Sequence, residues 1–247
     1  MNLPDISSYW RAVRAPRYSI VFAFPLLVAY ELLAFGLSHG QVTAVRNGAD
    51  VLLKSVFVAV GGRYGLTLFG AVMIGGGAAL AWRDFRRAGG IRFLYLAGMF
   101  AESIAYALVF GMVAGTLTAL LLPHLSFVIG PDRAGAAQSL PAQLMISLGA
   151  GIYEELLFRV LLVSGLAWIG LRVFGWARTA ANVFAVVTGA LIFSLFHYIG
   201  PYGEPLRLDS FSFRMVAGLL FSGLYVTRGF GITAWTHALY DVFLAVG

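Results

Sequence analysis

Charge is what this sequence has least of. Only 11% of its 247 residues are Asp, Glu, Lys or Arg, against about a quarter in a soluble domain. Lysine occurs once, at Lys54, so every other basic residue is Arg. Cysteine is absent, which removes disulfides, a thiolate nucleophile and Cys-ligated zinc without naming a compartment. Apolar and aromatic residues make up 60% of the chain and the mean hydropathy is +0.85. That composition excludes an ordinary soluble globule and a disordered chain, and makes lipid the solvent. At roughly 20 apolar residues per crossing, the expected fold class is all-α: a polytopic transmembrane bundle of about seven to eight helices, one integral membrane domain over 1–247. The formal charge of +6 suits anionic lipid headgroups and basic loops. The lipid bilayer is thus one partner, and nucleic acid is not expected to be another.

Apolar runs at membrane length lie near 18–38, 66–82, 93–122, 142–168, 180–199, 213–227 and 230–246. The stretch 49–61 is too short to cross and carries Lys54, so it reads as an amphipathic or re-entrant piece at one face. Pro123, Pro131, Pro141 and Pro201 fall between runs, where proline ends helices at little cost. Gly111 and Gly115 are spaced for close helix packing. The first helix is preceded by a basic stretch with no small-residue cleavage site after it, and reads as a retained anchor. Arg11, Arg14, Arg17, Arg83, Arg86, Arg87, Arg92, Arg172, Arg178 and Arg228 share one side under the seven-helix count, against Arg46, Lys54, Arg63, Arg133, Arg207 and Arg214 on the other. The positive-inside rule then places the N-terminus in the cytoplasm.

Ionisable groups inside lipid cost about 2.5 to 3.5 kcal/mol each on insertion scales and are functional candidates by default. Glu31 and Glu102 stand alone in their helices. Glu154, Glu155 and Arg159 stand together in the fourth run, His197 ends the fifth, and His237 and Asp241 lie in the seventh. On a helix Glu155 and Arg159 share a face and can pair, while Glu154, turned by about 100°, faces something else. His237 and Asp241 are likewise four apart. A glutamate with an imidazole can take a proton from water, and a second imidazole can meet an oxyanion or protonate a leaving amine. This equipment suits amide hydrolysis. The same groups suit zinc, whose catalytic sites take two His and a carboxylate. No His-Glu-x-x-His, Gly-x-Ser-x-Gly or cysteine nucleophile is present, so the usual zinc, serine and cysteine protease signatures are missing.

The order Glu154-Glu155-x-x-x-Arg159, Phe193-x-x-x-His197, His237-x-x-x-Asp241 resembles the CPBP family of membrane proteases, which includes the CAAX-prenyl endopeptidases and bacterial Abi-type proteins. The resemblance covers about 143–247. It implies a glutamate-dependent intramembrane endopeptidase acting on a membrane-associated or lipidated protein or peptide, in a bacterial plasma membrane. Glu154 would be the base, His197 would help hold the water, and His237 with Asp241 would supply the oxyanion side. Glu155, Arg159 and Phe193 would be supporting residues. No cofactor is implied; the alternative is a metal-dependent protease with zinc on Glu154, His197 and His237, and a further one is a non-catalytic immunity or regulatory protein on the same scaffold. The family's prenyl-endopeptidase branch has Asn at the last position; Asp241 accepts from His237 and leaves that imidazole as the donor. Depth poses a problem. His197 lies roughly 28 Å from Arg178 along its helix but His237 only about 14 Å from Arg228. Tilt, a helix start past Asn182, or an irregular return at Gly200-Pro201 is expected to close the gap.

Overall fold

The computed structural model describes residues 6–38, 46–122, 139–200 and 203–246. Pro123, Pro131, Arg133 and Pro201 lie outside the described residues. Among those described, every regular element is helical. In chain order they are α1 (Ile6–Ala12), α2 (Pro16–Ser38), α3 (Gly48–Gly61), α4 (Gly65–Gly70), α5 (Gly77–Ala88), α6 (Phe93–Leu121), α7 (Leu140–Gly149), α8 (Ser164–Arg172), α9 (Arg178–Phe196), α10 (Leu208–Arg228) and α11 (Phe230–Val246). Wider π-helical segments join α4 to α5 (Ala71–Gly76) and α7 to α8 (Ala150–Val163).

Among the described residues, five helical stretches are long and apolar enough to cross a membrane: Pro16–Ser38, Gly48–Ala88, Phe93–Leu121, Arg178–Phe196 and Leu208–Arg228. Phe230–Val246 is also apolar but has 17 residues. The helical stretch from α7 to α8 carries Glu154, Glu155 and Arg159 at its middle. The chain is an integral membrane protein built as an all-helical bundle. Pro141 opens α7 rather than separating two helices, because a missing N–H costs nothing in a first turn.

Gly62, at φ +52°, turns the chain after α3 so that α4 folds back on it. Phe57 and Phe69 then meet edge to face at 5.3 Å, and a Cβ on Gly65 would strike the Val58 backbone. The short 49–61 stretch is therefore a separate helix leaning on a crossing one. Its Lys54 is not a loop charge: Nζ lies 2.6 Å from Asp50 and 3.2 Å from Glu31. Arg46 joins the same two acids, at 3.0 and 3.4 Å, and Tyr153 donates to Glu31 at 2.8 Å. Glu31, solitary in its own helix, has its partners beside and on α3 and in the Ala150–Val163 segment.

Helix α11 is the central element, packed against α2, α6, α7, α10 and the Ala150–Val163 segment. Small residues bring these backbones together, as small residues do in lipid. A Cβ on Gly231 would meet the backbone of Ser19, and one on Gly151 would meet Ala234 and Ala238. Around α11 sit two apolar clusters, one with Tyr18, Met99, Phe221 and Ile232, the other with Tyr30, Met145, Tyr153 and Ala234.

No late helix start closes the depth gap, since α9 begins at Arg178. Arg228 is 1% exposed and clamped by Glu102 through Nη2 to Oε1 at 2.6 Å and Nε to Oε2 at 2.9 Å. Trp10 lies over its guanidinium at 3.8 Å. Glu102 is the tenth residue of α6, about 14 Å below that helix's start. The end of α10 is thereby tied to a point well inside α6, and Gly229, at φ +83°, turns the chain directly into α11, while both His197 and His237 lie against Phe193. Arg228 is thus a buried structural cation, a correction to its place among the loop charges.

Candidate active site

The buried acids lie on the π-helical segment Ala150–Val163, flanked by the α-helical turns of α7 and α8. Such segments are rare and recur at functional sites. Here the whole run 149–155 is buried, because the small residues Gly149, Ala150 and Gly151 admit neighbours from several sides. A Cβ at 149 would come within 2.6 Å of the Tyr30 ring and 2.8 Å of Asn47 Cβ.

Glu155 is fully buried and its Oε1 is shared. Arg159 Nη1 lies 3.1 Å away, the i, i+4 pair expected from spacing, and His237 Nδ1 lies 2.6 Å away. Arg159, itself fully buried, is held between the rings of Phe193 at 4.4 Å and Phe221 at 5.5 Å, where the ring faces favour a cation. Phe221 also stacks on His237, at 4.3 Å between centroids and 23° between planes. One aromatic side chain thus fixes both the cation and the imidazole.

Asp241 stands differently from its expected place as the hydrogen-bond acceptor of His237. Its Oδ2 is 3.7 Å from His237 Nε2, an electrostatic neighbour beyond hydrogen-bond length. The hydrogen-bond partner of the imidazole is Glu155, from another helix, so Glu155 does more than brace its own helix.

Glu154 faces away from Arg159. Its Oε1 accepts from Asn47 Nδ2 at 2.8 Å, and its Oε2 is buried with no partner among the described residues. His197 caps α9 and donates through Nδ1 to the Phe193 carbonyl at 2.9 Å. In the neutral ring that leaves Nε2 as an acceptor. The charge of Glu154 acts on both His197 and His237. His237 is buried, whereas His197 and the Asp241 side chain are partly exposed, so the cluster opens on their side.

Glu154, Glu155, Arg159, Phe193, His197, His237 and Asp241 are therefore neighbours in space. Asn47 joins them, although nothing in the sequence marks it as a candidate. Its only sequence signal is that of an N-cap, an Asn three residues before Asp50 at the head of an apolar run. Among the described residues no three His, Cys, Asp or Glu side chains are grouped as metal ligands are. One nitrogen of each ring and one oxygen of Glu154 are already committed to protein partners.

Fold and site together define a polytopic membrane protein with acids and imidazoles from separate helices gathered around one buried carboxylate. Residues 136–243 match the family model described as Type II CAAX prenyl endopeptidase Rce1-like. The match spans all three motifs and agrees with their CPBP/CAAX resemblance. The comparison with curated proteins and that with solved structures each gave no match.

Proposed function

We propose that the protein is a glutamate-dependent intramembrane endopeptidase in which Glu154 and His197 activate water and His237, with Asp241 beside it, stabilises the oxyanion. The observation that carries this reading is what holds each glutamate: both keep a buried Oε2 with no partner among the described residues, but Glu155 is taken up through Oε1 by Arg159 and His237, whereas Glu154 is held through Oε1 by the neutral amide of Asn47. A water between Oε2 and His197 Nε2 gives its proton to Glu154 as its oxygen bonds to the scissile carbonyl carbon. The carbonyl π electrons move to oxygen, and His237, as the imidazolium with Nδ1–H donating to Glu155, meets that charge through Nε2–H. When the tetrahedral intermediate collapses, the C–N bond breaks and the proton passes from Glu154 to the leaving amine, so base and acid are one residue. Glu155 holds His237 from Nδ1 and leaves Nε2 directed at the Asp241 side.

The substrate is a membrane-associated or lipidated protein or peptide, which reaches the site from the bilayer. The protein sits in a bacterial plasma membrane with its N-terminus cytoplasmic. Arg17 pairs with Asp84 at 2.8 Å, and the Arg92 N–H donates to Tyr18, which gathers the richest arginine segments at one end.

Purified protein in proteoliposomes, given a library of lipidated and unlipidated peptides and read by mass spectrometry, tests the reading. Products with a new amine and a new carboxylate at an internal bond, preferentially from lipidated members, are expected. A wild-type protein that cleaves no member of the library contradicts it.

A further inference from the structure

The family match begins at residue 136, yet the hydrogen-bond partner of Glu154 comes from the other half of the chain. We infer that Asn47 is a positioning residue of the active site: it holds Glu154 by Oε1 and so selects Oε2 as the proton-accepting oxygen. The inference rests on the reading of Glu154 as the base.

Four observations carry it. The Asn47 Nδ2 to Glu154 Oε1 bond is 2.8 Å and both residues are buried, where a hydrogen bond to a carboxylate counts for about twice a neutral one. The amide orientation is settled by its other end, since Oδ1 accepts from the Ala49 N–H at 2.9 Å as the N-cap of α3. Reversed, the amide would set oxygen against carboxylate and NH₂ against N–H. Next, the cap is itself anchored. Tyr30 receives the Asn47 N–H at 3.4 Å and donates to Asp50 at 2.7 Å, and Asp50 is fully buried between Arg46 and Lys54. Tyr153, the residue before Glu154, ties into the same network through Glu31. Finally, Gly149 leaves the space that Asn47 and Tyr30 occupy.

An Asn at this place does what Asp cannot, because a carboxylate would cap the helix equally well but repel Glu154. That difference separates positioning from structure. Asn47→Asp and Asn47→Ser both retain an N-cap acceptor, and each removes the donor to Glu154. With the peptide that wild type cleaves best, both variants are expected to keep KM within about twofold, and Asn47→Ser, which adds no charge, to keep the wild-type melting temperature within a few degrees. Each should lose about 10- to 100-fold in kcat. Wild-type kcat in either variant overturns the inference while leaving the role of Glu154 intact. If Glu154→Gln cleaves as well as wild type, the parent reading fails instead. A second readout needs no substrate. The infrared carboxylate band assigned to Glu154, by difference between wild type and Glu154→Gln, should shift in Asn47→Ser; an unshifted band overturns the inference.

Discussion

His237 is held by Glu155, a residue of another helix, at 2.6 Å through Nδ1, while Asp241 on its own helix stands 3.7 Å from Nε2. The shorter contact makes Glu155 the residue that fixes the ring. Glu155→Gln is therefore expected to lower kcat by about 100-fold, and Asp241→Asn by about tenfold or less, since an amide at 241 can still face Nε2. Steady-state kinetics on both variants check the order. A costlier Asp241→Asn contradicts it.

Arg228 and Glu102 form a bidentate pair with the guanidinium 1% exposed. Removing Arg228 leaves the partly buried Glu102 carboxylate unpaired, at about 1–3 kcal/mol. Arg228→Met is expected to lower thermal stability in detergent sharply, and Arg228→Met with Glu102→Gln to recover a large part of the loss. Additive losses would show that the two residues do not act as a pair. Because the pair ties α10, just before the turn into α11, to α6, Arg228→Met should also lower activity at temperatures where the variant stays folded.

Glycines on one helical stretch differ in what surrounds them, and substitutions there separate packing from propensity. A Cβ at Gly151 meets Ala238 Cβ at 2.7 Å, whereas nothing lies within 4 Å of one at Gly165. Gly151→Ala is expected to push the Ala150–Val163 segment off α11, parting Glu155 from His237, with kcat down about 100-fold. Gly165→Ala should leave activity unchanged and add about 0.5–1 kcal/mol of stability. Thermal melts and turnover on the two variants test this; equal behaviour contradicts it.

The motif residues are legible in the sequence because charge at membrane depth is expensive and so conspicuous. Glu154, Glu155, Arg159, His197, His237 and Asp241 stand out against an apolar background, and their spacing alone pairs Glu155 with Arg159 at i, i+4. What the sequence does not disclose is long-range. No local pattern links Arg228 to Glu102, 126 positions apart, and an Arg after an apolar run looks like any loop charge. Asn47 is hidden for the opposite reason: an uncharged N-cap is ordinary, and only the fold brings it to Glu154. The π-helical pitch of Ala150–Val163 also has no residue signature, and the partners that the segment packs against, α3, α9 and α11, are remote in sequence or lie on the far side of a turn.

The central claim is that the carboxylate of Glu154 does the chemistry with no metal between it and water. Turnover of one peptide by wild type and by Glu154→Gln, each with and without a zinc chelator, tests it most directly. The expected result is cleavage by wild type that chelation leaves unchanged, and a loss of at least about 10³-fold in Glu154→Gln at an unaltered melting temperature. Retained turnover in Glu154→Gln, or wild-type activity lost on chelation and restored by zinc, would contradict the account.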